Sequence, residues 1–141
     1  MVAKVFRSPL RDTPVSNIYD FNEALGHGYF AIGANSFWHG GTHINSQAKP
    51  LVSIAKGKVV AFRLEQNYRT LQVGGQARQI SNSFILTRHT EETPQGQEIN
   101  FYCLYMHIKP WGAYANPTTE LPRIFREEAL YRTGNENIYV F

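Results

Sequence analysis

Ten residues, Ile99 to Ile108, run without a glycine or a proline and are rich in β-branched and aromatic side chains. Such a run predicts a strand long enough to organise a sheet. Alternation puts Ile99, Phe101, Cys103, Tyr105 and His107 on one face, and Asn100, Tyr102, Leu104 and Met106 on the other. His107 thus comes at the end of the strand, on the face of Tyr105 and just before Pro110. A strand end on a rigid sheet is a good place to hold a reactive group.

The rest of the chain supplies partners for that strand. Leu51 to Ala55, after Pro50, reads as a short strand, and Lys56-Gly57 as a turn. Lys58 to Leu64 reads as a second strand with Val60, Phe62 and Leu64 on one face. Thr70 to Val73 and Gln76 to Ile80 flank Gly74-Gly75, a hairpin pattern. Ser83 to His89 is a further strand, closed by a polar loop from Thr90 to Gln97. Tyr19 to Leu25 is a short helix stopped by Gly26 and Gly28, with His27 as a loop residue between them. Arg123 to Tyr131 is a second short helix, and Ile138 to Phe141 a last strand that either docks back on the sheet or is the front of something longer. The expectation is a mainly β single domain: an antiparallel sheet folded around a groove, with short helices at its edges. An arm and helix occupy 1–28, the β core 29–110 and an irregular extension 111–141.

A second feature bears on chemistry. His39-Gly40-Gly41-Thr42-His43 holds two of the five histidines, four residues apart. In an extended strand they would stand ~13 Å apart, too far to share a metal. Adjacent glycines oppose a helix, so a tight glycine turn is the remaining way to converge them. Converged imidazoles suit zinc, whose catalytic sites take three protein ligands and keep one position open. A glycine-rich loop with two ordinary histidines fits the same spacing, and the residues alone leave both readings open.

Composition narrows the classes. The 141 residues suffice for one modest core, and 43% hydrophobic with 18% charged residues is a globular balance. The formal charge of +3 is scattered, without a basic stripe, so nucleic acid is not an expected partner. An anionic wall polymer suits the same charge. Cys103 is the single cysteine, which excludes an intrachain disulfide and a cysteine-based zinc site. No apolar run approaches a membrane span, and Met1 to Leu10 lacks the apolar core of a signal peptide. The expected location is synthesis in the cytoplasm without a classical export signal, with export by another route, to the periplasm or cell wall, left open.

The order of elements resembles the M23 family of zinc metallopeptidases, the lysostaphin and LytM-like peptidoglycan endopeptidases. Three stretches carry the resemblance. His39-Gly40-Gly41-Thr42-His43-Ile44 is similar to the family's His-x-Gly-x-Asp motif. Pro50 to Val60 is similar to the strand–Gly–strand that follows it. Leu104-Tyr105-Met106-His107-Ile108 is similar to the Tyr-x-His-Leu motif, and Ser83 to His89 to the strand before it. The likeness covers residues 29–110. Phe21 to Ala24 and Trp111 to Tyr114 extend it toward the domains of phage-tail and type VI secretion cargo proteins.

The resemblance implies zinc-dependent attack of water on a peptide bond of peptidoglycan. His39 and His43 would hold the metal, and His107 would stabilise the oxyanion or carry a proton, with Tyr105 as a further catalytic candidate. His89 reads as structural. The implied partners are a peptidoglycan peptide and a secretion-apparatus or phage-tail protein. Two departures count. His43 stands where the family has Asp, and no histidine follows His107, so the family's His-x-His motif is absent. Either the chain is the front of something longer, or it is an inactive relative that binds wall peptide or a protein in the same groove.

Overall fold

A computed structural model describes residues 6–24, 32–33, 35–44, 49–127 and 139–140. The architecture is mainly β, as expected, and divides into two compact units, Met1–Lys56 and Gly57–Phe141.

In the first unit, helix α1 spans Val15–Ala24. It begins four residues before the expected start because Pro14, with its fixed φ, suits a helix opening. Residues Leu51 to Ala55 do not form the expected strand. They run beside 7–11 through an isolated Leu10–Leu51 bridge and three backbone bonds: Arg7 N–H to Ile54 O, Val52 N–H to Pro9 O and Arg11 N–H to Pro50 O. Pro9 and Pro50 have no N–H to give, which breaks the ladder. Leu10, Ile18 and Ala55 are buried. Ile32 bridges Trp38, and Gly33 N–H donates to Phe37 O. His27 lies outside the described residues.

The second unit holds a four-stranded antiparallel sheet in the order β5-β4-β1-β6. Its strands are β1 (Lys58–Arg63), β4 (Phe84–Glu92), β5 (Glu98–Met106) and β6 (Tyr139–Val140). Strands β2 (Arg69–Val73) and β3 (Gln76–Ile80) form a separate hairpin between β1 and β4. Gly74 and Gly75 take φ of +58° and +77° at its tip, which the two-residue turn requires. Strand β6 pairs with β1 through Ala61–Val140 and Phe62–Tyr139, so the last strand does dock on the sheet.

Three boundaries differ from expectation. Pairing extends β4 to Glu92, opposite Glu98, and takes Thr90 to Glu92 out of the expected loop. Thr90 Oγ1 donates to Asn100 Oδ1 across that pair at 2.7 Å. Strand β5 stops at Met106, because His107 turns to a φ of +58°. In the segment expected to be irregular, a 3-10 turn (Trp111–Ala113) precedes a helical turn α2 (Pro117–Glu120). Helix α3 is described over Arg123–Glu127, and 128–131 of the expected helix lie outside the described residues.

The core of this unit packs on one sheet face. Phe62, Leu64, Leu121 and Phe125 are buried together, with Val59, Ile85, Ile108, Trp111 and Tyr114 against them. The Phe62 and Phe125 rings meet at 4.7 Å between centroids, which seats α3 on β1. A bulge between Val59 and Ala61 resets the register, so Phe62 and Leu64 face the core and Val60 is half-buried.

Candidate functional site

His39 and His43 converge. Their Nε2 atoms stand 2.9 Å apart, and the rings meet edge to face at 69°. The glycines achieve this through space rather than unusual backbone angles. Neither Gly40 nor Gly41 is among the glycines of positive φ. A Cβ on Gly41 would stand 3.1 Å from Cε1 of His39, inside the room its ring needs. Gly41 N–H also donates to His39 Nδ1, at a long 3.4 Å. That contact puts the His39 proton on Nε2, from which it is donated to His43 Nε2.

Two ligands on tetrahedral zinc at ~2.0–2.1 Å stand about 3.3 Å apart. The pair therefore fits two of the positions on a zinc ion with a small opening. Holding a metal through both Nε2 atoms would require the His39 proton on Nδ1, with loss of the weak Gly41 bond. Among the described residues, no group of three His, Cys, Asp or Glu side chains gathers at one point. Phe37 and Trp38, which precede the pair, are 72% and 79% exposed.

His107 is held in a different way, in the second unit. Its positive φ is rare for a residue with a β-carbon and marks a constrained position. Nδ1 lies 2.6 Å from the carbonyl oxygen of Ser81, and a carbonyl can only accept. Nδ1 therefore carries the proton and the neutral ring keeps a bare Nε2. The side chain is exposed. This is how a histidine is presented when Nε2 is to take up a proton.

Tyr105 is half-buried two residues earlier and hydrogen-bonds to the Cys103 side chain on the same strand face. Burial pushes the Cys103 thiol above its ordinary value, and the bond from Tyr105 offsets part of that rise. Cys103 is half-buried rather than fully enclosed.

His89 is fully buried. Thr87 Oγ1 donates to Cys103 O at 3.3 Å, so it accepts from His89 Nε2–H at 2.8 Å. The ring stacks on Phe101 at 4.9 Å between centroids. A Cβ on Gly57 would come within 2.6 Å of Nδ1 and 2.7 Å of Arg88 O. His89 thus belongs to the interior of the sheet.

The fold brings His39 together with His43, and places Tyr105 and His107 at one end of β5. The two groups belong to different compact units. The sequence reading missed Glu65, a buried carboxylate between Arg69 and the 81–83 loop. An acidic residue directly after an apolar run and four residues before an arginine was the available signal. No family model, curated protein or solved structure matches this chain.

Proposed function

We propose that this chain is a zinc-dependent peptidase unit acting on the peptide bonds of peptidoglycan. The observation that carries the reading is the convergence of His39 Nε2 and His43 Nε2 to 2.9 Å within a His-x-Gly-x-His stretch. His39 and His43 would hold the metal through these nitrogens. Bound zinc supplies Lewis-acid polarisation of a carbonyl and a lowered pKa for water. His107, with Nδ1–H fixed on Ser81 O, would offer a bare Nε2 for the proton-carrying role that the resemblance implies, accepting a proton from water and returning it to the leaving amine. Tyr105 enters the catalytic set through the Tyr-x-His stretch it shares with His107.

The basic balance of the chain suits an anionic wall polymer, and delivery to the wall by a secretion or phage-tail apparatus fits the resemblance. No helix among the described residues is long and apolar enough to cross a membrane. A second reading, a module that binds wall peptide without cutting it, is favoured by the lack of a His-x-His motif after His107 in this sequence.

Digestion of purified peptidoglycan with the zinc-loaded chain separates the two readings. The peptidase reading predicts new amino termini, lost in both His39→Ala and His107→Ala. Sedimentation with the wall polymer and no new termini would select the binding module.

A further inference from the structure

We propose that Glu65 is a positioning residue that acts on His107 through a single peptide group. This rests on the reading of His107 as the proton carrier. Glu65 follows β1 and its side chain is 4% exposed, a costly place for a carboxylate unless it is paired and hydrogen-bonded. Both oxygens are used. Oε1 accepts from Arg69 Nε at 2.7 Å, and Oε2 accepts from the backbone N–H of Asn82 at 2.7 Å.

That N–H belongs to the peptide joining Ser81 to Asn82, and the other end of the same peptide is the Ser81 carbonyl. The carbonyl accepts the His107 Nδ1 proton at 2.6 Å. A planar trans peptide points its C=O and N–H in opposite directions, so holding the N–H aims the carbonyl. The negative charge on one side also polarises the group, which makes the oxygen on the other side a stronger acceptor. Glu65, one peptide and His107 therefore form a relay in which a carboxylate orients an imidazole without touching it.

The surroundings lock this peptide in place. Ser81 and Ser83 are buried. Ser83 N–H donates to Ser81 Oγ at 3.1 Å, and Ser83 Oγ accepts from Glu65 N–H at 2.9 Å. Arg63 holds the next carbonyl, Asn82 O, through Nε at 3.2 Å and Nη2 at 3.1 Å. Ile108 N–H, directly after His107, donates to Ser83 O at 3.3 Å. The loop and the histidine are thus joined at two points. Arg63 and Arg69 are the cations that meet this loop and its carboxylate.

The test reads the tautomer of His107 from ring nitrogen chemical shifts, which need neither metal nor substrate. In the intact chain Nδ1 carries the proton. Glu65→Gln keeps the shape but removes the charge, and of the two oxygens that accept from Arg69 and Asn82 one becomes an NH2 group that cannot accept. The Nδ1–H to Nε2–H ratio should then fall about tenfold, with the β4–β5 amide signals unmoved. Arg69→Ala leaves the Asn82 bond in place and should keep the tautomer.

If Glu65→Gln does not fold, the intact chain answers directly. Scalar couplings across the Asn82 N–H to Glu65 carboxylate bond and the His107 Nδ1–H to Ser81 carbonyl bond should both be present. Absence of either coupling, or an unchanged tautomer in a folded Glu65→Gln chain, overturns the proposal. In a wall-cleavage assay Glu65→Gln should lower kcat about 10–100-fold and leave KM in place. A shifted tautomer with cleavage indifferent to His107→Ala would instead overturn the functional reading and leave the relay standing.

Discussion

A missing β-carbon at Gly41 leaves the space in which the His39 ring turns toward His43. Gly41→Ala should push that ring away and weaken zinc binding about tenfold, with little change in folding stability, as read by metal titration and urea unfolding. Gly57 works by the same means in the sheet interior, where His89 is fully buried and cannot retreat. Gly57→Ala should cost about 1–3 kcal/mol in urea unfolding. An unchanged midpoint would mean that the close approach is not a constraint. Cys103 gives a chemical readout. Its thiol is pushed above the ordinary 9.0, chiefly by burial. Alkylation at neutral pH should therefore be slower than for a free thiol and should accelerate as pH rises. Rapid labelling at pH 7 would contradict the placement of Cys103.

Among the elements, α3 and the turns before it matter through what they bury against β1. Phe125 is 1% exposed and meets Phe62, so Phe125→Ala should cost about 3–5 kcal/mol in the same unfolding assay. Tyr114 sits on that core, and its hydroxyl is pushed above 10.0 by burial, then by Tyr68 and Glu120. The folded state keeps this proton at a pH where the unfolded chain loses it. The contribution to stability is therefore full below about pH 10 and falls as pH rises beyond it. Tyr114→Phe should flatten that alkaline loss. Strand β5 was legible in the sequence because a run without Gly or Pro has one simple reading. The hairpin at Gly74-Gly75 was legible because only residues tolerant of positive φ fit its tip. Leu51 to Ala55 misled, since an apolar run shows nothing of the two prolines that interrupt its pairing with 7–11.

At the scale of the whole molecule, local spacing and long-range contact part company. The His39–His43 convergence was readable as one of two alternatives, being a four-residue matter with glycines between. The placement of His107 was only half readable. Its location at a strand end followed from Pro110, but its positive φ and its bond to Ser81 come from a segment 26 residues away. Glu65 was not readable as part of a site, because its partner is a backbone N–H that only the fold delivers. The proposed peptidase chemistry requires the His39–His43 pair to hold zinc. The most direct measurement is zinc stoichiometry by equilibrium dialysis on the intact chain, beside His39→Ala and His43→Ala. One zinc per chain, lost in both variants, is the predicted result. No bound zinc, or a zinc retained by both variants, would contradict it.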